Sequence, residues 1–432
     1  MRITPIDAWA YRKIASHGPQ LVREDLEAWQ LQKLNETLAL VRSKSPFYQN
    51  HLAGCPETLH SLGVLCRLPF TTPENIRRNP LQFLCVPQGE IERVVTLESS
   101  GTTGEPKRIY FTSEDQESIL EFFGVGMSTL TEPGERVLIL LPGQTPGSLG
   151  DLLREALRRL GRVPLPYGPV YDPGHALSTL ECQDADCLVG TPTQVLGLAR
   201  RWDPLCRAPR TVLLTADTVP HSIVHELEDI WGCEVFNHYG ATEMGLGAAV
   251  ECEAHCGYHL READLYFEIV DPESGEPVPE GTYGEVVFST LTRKGMPLLR
   301  YRMGDRSRFL PGSCPCGTTL RRMERVSGRF GGHVRVGEEI LKLEDFDEAL
   351  FPVPDLLNFS VSVTEAGEET VLEIEARMLT QADATDAVRQ ALERIPSIRN
   401  IKYHLNCVYR PREAGSLRKR TIADQRREHA LP

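Results

Sequence analysis

The chain has 432 residues, 41% of them hydrophobic and 25% charged, and a formal net charge of −13. That length exceeds what one hydrophobic core fills, so two domains are expected in an otherwise ordinary globular composition. The acidic balance argues against a nucleic-acid partner, whose backbone needs clustered Lys and Arg; the one locally basic stretch, Arg418–Arg427, reads as a short solvated tail.

In chain order, Met1–Gly18 mixes Arg2, Asp7, Arg12 and Lys13 with its apolar positions, which does not match a secretory signal. No apolar run reaches the roughly 20 residues of a membrane span. A cytoplasmic protein without a membrane partner is expected, in which the twelve cysteines act as thiols or metal ligands rather than disulfides. Leu31, Leu34, Leu38 and Val41 predict a helix over Arg23–Ser45, with acidic residues early and Arg42 and Lys44 late. The β-branched run Val94-Val95-Thr96-Leu97 then leads into Ser99, Ser100, Gly101, Thr102, Thr103 and Gly104, followed by Lys107. Glycines that let successive amides point inward, together with hydroxyl donors, make a phosphate cradle. The spacing is not that of a Walker loop.

Beyond it, Arg136–Leu141, Cys187–Gly190 and Thr211–Thr215 read as buried strands, and Leu149–Leu160 and Thr193–Arg201 as helices. This alternation predicts an α/β architecture with a largely parallel sheet, whose ligands sit beyond the carboxyl ends of the strands. Near the end, Phe359, Val361 and Val363 alternate with serines, and Leu372, Ile374 and Ala376 with glutamates. With the amphipathic stretch Ala387–Ile395 they predict a small α+β unit, and the expected domains are 1–328 and 329–432.

The loop at Ser99–Lys107 resembles the phosphate loop of the adenylate-forming (AMP-binding) superfamily. Glu27-Ala-Trp-Gln-Leu-Gln-Lys33, Ser45-Pro-Phe-Tyr-Gln49 and Leu68-Pro-Phe-Thr-Thr72 are similar to the approach to that loop in its phenylacetate–CoA ligase-like branch. The resemblance implies a large multi-sheet nucleotide domain and a small mobile carboxyl-terminal domain. It also implies ATP as co-substrate with Mg²⁺, a carboxylic acid (an aryl acid such as phenylacetate) as substrate, and coenzyme A or another thiol carrier as acceptor.

Residue by residue, the resemblance gives Ser99 to Gly104 and Lys107 to phosphate. In Tyr239-Gly240-Ala-Thr242-Glu243, Tyr239 would stack on adenine, Thr242 would touch phosphate and Glu243 would hold Mg²⁺. Asp305 and Arg329 would reach the ribose, and Lys419 would be the catalytic lysine. Cys252, His259, Cys314 and Cys316 would hold a structural Zn²⁺, with His255 and Cys256 as further candidates; thiolate and imidazole are the ligands tetrahedral zinc prefers. The two clusters flank an expected hairpin, Tyr266–Asp271 with Tyr283–Thr290, that would bring them together.

The chain departs from the branch at Asp217 and Val219 in the adenine-contact stretch and at Gly331 and Gly332 in place of hinge acids. It departs again at Val336–Ile340, and in the tail, where some registers put Leu417 or Arg418 at the lysine position. These departures leave open an acceptor other than CoA (a carrier protein, an amine or a deazaflavin cofactor) or a non-catalytic nucleotide binder. Nothing in the sequence selects between a monomer and a homodimer.

Overall fold

The computed structural model describes residues 2–15, 20–97, 105–366, 369–415 and 419–426. The chain forms two compact units: Met1–Glu132, Glu155–Gly161 and His238–Val326 make the first, and Pro133–Arg154, Arg162–Asn237 and Ser327–Pro432 the second. Within the second unit, Ser327–Pro432 is grouped with Pro133–Arg154 and Arg162–Asn237.

In the second unit five strands lie parallel, in the order Val163–Pro166, Arg136–Ile139, Cys187–Gly190, Thr211–Leu214 and the start of Glu234–Tyr239. Cys187–Gly190 and Thr211–Leu214 are buried along their whole length, as expected of largely apolar strands covered on both faces. The helices Pro173–Cys182, Pro192–Ala199 and His221–Trp231 pack on them through Leu180, Val195, Leu196, Ile223 and Leu227. The same core takes in the terminal sheet, whose order is Lys402–Tyr409, Glu369–Met378, Leu356–Ala366 and Ala423–Asp424. There the expected alternation holds: Phe359, Val361 and Val363 are buried, and Ser360 between them is exposed.

In the first unit the helix Arg23–Lys44 buries Leu34, Leu38 and Val41. Ser113–Met127 opens with a capping box between Thr112 and Asp115. The hairpin forms as Leu265–Val270 antiparallel to Gly284–Thr290, and Tyr301–Ser307 adds a third strand. Ala249–Glu251, Tyr258–Leu260 and Arg322–Met323 extend antiparallel from His238-Tyr239. Among the described residues no helix is long and apolar enough to cross a membrane.

Candidate functional site

Ile91–Leu97 pairs antiparallel with Lys107–Thr112, Leu97 opposite Lys107, so Lys107 opens the return strand of a hairpin. Ser99, Ser100, Gly101, Thr102, Thr103 and Gly104 lie outside the described residues. The Lys107 ammonium is ion-paired with the Glu243 carboxylate. Tyr301 completes a triad: its hydroxyl donates to Glu243 Oε1 at 3.1 Å and accepts from Lys107 Nζ at 3.3 Å. Glu243 is buried in the tight turn Thr242–Met244, where Arg293 Nη1 donates to its carbonyl at 2.7 Å. Burial raises the Glu243 carboxyl, but the Lys107 ammonium outweighs it and holds the group below the usual carboxylate range. Glu243 is therefore ionised at neutral pH.

The turn preceding it demands glycine. A Cβ on Gly240 would stand 2.2 Å from the Leu246 carbonyl oxygen, where the chain folds back with Leu246 N donating to Ala241 O at 2.8 Å. Just before that turn, Tyr239 stacks against Tyr258 with ring centroids 6.0 Å apart and donates its hydroxyl to Asp305 Oδ2 at 2.8 Å. Tyr301, Met303 and Asp305 are all buried on one face of the strand Tyr301–Ser307. One strand thus presents a phenol to Glu243 and a carboxylate to Tyr239. Sequence reasoning missed Tyr301; its signal was the two-residue period linking it to Asp305.

The structure brings together Lys107, Tyr239, Gly240, Thr242, Glu243 and Asp305 in the first unit. Arg329 and Lys419, both exposed, belong to the second. An ionised carboxylate beside a lysine suits Mg²⁺, which takes one or two carboxylates together with phosphate oxygens. Asp305 offers a buried acceptor for hydroxyl groups. Asp305→Ala is expected to weaken ATP binding by about 1–3 kcal/mol through lost hydrogen bonds to a charged acceptor. Calorimetric titration with ATP checks this, and an unchanged affinity would remove Asp305 from the nucleotide site.

In the first unit the four candidate zinc ligands converge. The donor atoms of Cys252, His259, Cys314 and Cys316 lie within 4.8 Å of one another, and all four residues are buried. Cys252 Sγ is 3.7 Å from Cys314 Sγ, and Cys316 Sγ is 3.4 Å from His259 Nε2. Tetrahedral zinc, with bonds of about 2.3 Å to sulfur and about 2.0 Å to nitrogen, sets its ligands about 3.8 Å and about 3.5 Å apart, so these two pairs stand at the spacing the ion requires. The strand pairing His259↔Arg322 carries the Cys314 loop to this place, along with the expected hairpin. Burial raises the Cys316 thiol, but hydrogen bonds from His259 and from the Thr318 and Thr4 amides bring it down to about 6. His255 turns to Glu251 instead, with Nδ1 3.8 Å from Oε2. Cys256 stands at the edge, 3.9 Å from Cys314 Sγ and accepting from Arg322 Nη1 at 3.3 Å.

Residues 93–292 match the family model described as AMP-binding enzyme. The phenylacetate-coenzyme A ligase of Thermus thermophilus is 30% identical over 405 residues, 88% of this chain and 89% of that protein. The phenylacetate-coenzyme A ligase of Escherichia coli is 28% identical over 425 residues, 91% of this chain and 93% of its own. Among solved structures, a 2-hydroxyisobutyryl-CoA ligase in complex with its acyl-AMP shares the fold, with a TM-score of 0.79 over 93% of this chain and 90% of that one at 21% identity. The chain belongs to the AMP-binding enzymes, in their phenylacetate–CoA ligase-like branch, and as such is an AMP-forming acid–thiol ligase.

Proposed function

We propose that this chain activates an aryl carboxylic acid such as phenylacetate with ATP and passes the acyl group to coenzyme A. The observation that carries this reading is the pairing of two buried carboxylates, Glu243 with Lys107 and Tyr301 and Asp305 with Tyr239, in a chain that matches phenylacetate-coenzyme A ligases along most of its length.

In the first half-reaction a carboxylate oxygen of the acid attacks the α-phosphorus of ATP. The bond from that phosphorus to the bridging oxygen breaks, and pyrophosphate leaves. Such transfer rests on positioning and charge neutralisation. Lys107 and the hydroxyl loop Ser99–Gly104 would hold phosphate oxygens, Asp305 and Arg329 the ribose, and Lys419 the forming adenylate. Mg²⁺ held by Glu243 would offset charge on the phosphates. In the second half-reaction the CoA sulfur attacks the acyl carbon, the carbon–oxygen bond to AMP breaks, and AMP departs with the electron pair while the thiol proton is lost. Residues 329–432 would act as a small domain that turns between the two steps. Cys252, His259, Cys314 and Cys316 would hold Zn²⁺ as a closed structural site, because four protein ligands leave no open position.

Incubation with ATP, Mg²⁺, CoA and a panel of aryl and aliphatic acids tests the substrate assignment. Acyl-CoA and AMP are expected with an aryl acid, and thioester formation confined to aliphatic acids would overturn the aryl reading.

A further inference from the structure

The residue after Lys419 is buried and held by two carboxylates. Arg420 sets Nη1 and Nη2 on the Asp347 carboxylate at 2.5 and 3.1 Å and Nε on Asp217 Oδ2 at 3.4 Å. Its guanidinium lies over the rings of Phe351 and Phe359, 4.9 and 5.7 Å from their centroids. The side chains of Arg420, Asp217 and Asp347 are only 7%, 7% and 2% exposed. Burial pushes the Asp217 carboxyl up, and the Asp347 carboxyl up to about 7, against the pull of Arg420. Two buried acids thus share one guanidinium, with the Lys419 ammonium adding its charge at Asp217, and a buried charge persists only when it is paired.

The partners divide by chain segment. Asp347, Phe351 and Phe359 belong with Arg420 to residues 329–432, so any turn of that segment carries them together. Asp217 does not. It follows the strand Thr211–Leu214 in a loop kinked by Ala216 at φ 68°, and its other oxygen, Oδ1, accepts from the Thr218 amide at 2.9 Å. This is the loop where the sequence departs from the family at Asp217 and Val219, so the departure has a partner 203 residues away. Other ties join the same segments: Arg200 donates to the Phe351 carbonyl at 2.5 Å, and the His221 and Ser222 amides donate to Glu348. Arg420 alone among these residues adjoins Lys419.

We propose that the Arg420–Asp217 contact is a docking latch, made while the acid is activated and released for thiol attack, and that it positions Lys419 during the first half-reaction. The latch rests on the reading that residues 329–432 turn between the two steps. Breaking it from the Asp217 side leaves the Arg420–Asp347 pair and the aromatic cradle intact, and so shifts the balance away from the docked arrangement.

Single-turnover kinetics of each half-reaction test it: adenylate formation from ATP and acid, and thioester formation from preformed acyl-adenylate and CoA. Asp217→Asn is expected to slow the first step about tenfold, as a lost charge-assisted hydrogen bond would, and to leave the second unchanged or faster. Arg420→Lys keeps the charge but loses the fork that spans two carboxylates, and should show the same split. Both half-reactions at wild-type rates in Asp217→Asn, or both slowed alike, would overturn the latch. Wild-type enzyme that forms no adenylate would instead overturn the proposed function, and wild-type rates in Lys419→Ala would overturn the role of Lys419.

Discussion

Glu243→Gln is expected to lower the rate of adenylate formation by about 10²–10³-fold, the range found when one electrostatic contact to developing charge is removed. The substitution keeps the size and planarity of the side chain, so the turn Thr242–Met244 and the carbonyl contact from Arg293 persist. What disappears is the ionised oxygen that Lys107 and Tyr301 share. An amide ligates Mg²⁺ poorly, because the hard cation selects charged oxygen. Loss of rate in a protein that still folds and melts cooperatively is the expected pair of results. Near-wild-type kinetics at saturating Mg²⁺ would remove Glu243 from the metal site.

The second large effect concerns stability. Metal-replete protein is expected to hold one tightly bound Zn²⁺ per chain, and Cys314→Ser to lose it. A structural metal contributes folding free energy outright. Cys314 stands within reach of both Cys252 and Cys256, so its removal takes out the central thiol of the set. A loss of about 3 kcal/mol would lower the melting temperature by about 10 °C for a unit of this size. Elemental analysis and thermal melts measure the two quantities together. Protein without zinc, or a variant that loses zinc with no change in melting, would contradict a structural site.

Much of the architecture was legible because it is locally encoded. Cys187–Gly190 and Thr211–Leu214 are short, mostly apolar runs and appear as buried parallel strands. The alternation at Phe359, Val361 and Val363 maps directly onto one buried face. Element ends moved by one or two residues, as at Arg23–Lys44 and Pro192–Ala199, where capping geometry rather than periodicity decides.

The site was legible where its chemistry is rare in a sequence. Four soft ligands in two clusters read as zinc ligands, and those four donors converge. Choosing against His255 needed the fold, since a backbone φ of 47° turns that residue toward Glu251. Contacts between distant ordinary residues were not legible. Tyr301 meets Glu243 across 58 positions, and Arg420 meets Asp217 across 203; no local pattern pairs either with its partner. The clustering of Ser327–Pro432 with the parallel strands rests on the shared apolar core of Leu138, Val195, Phe346 and Phe359, which no local pattern announces.

Acid-dependent exchange of labelled pyrophosphate into ATP tests the central claim most directly, because it reads adenylate formation without regard to the acceptor. Purified protein with Mg²⁺, ATP and an aryl acid is expected to exchange label only when the acid is present, and to lose that exchange in Glu243→Gln. Production of ADP in place of AMP, or no exchange with any acid of a broad panel, would contradict the account.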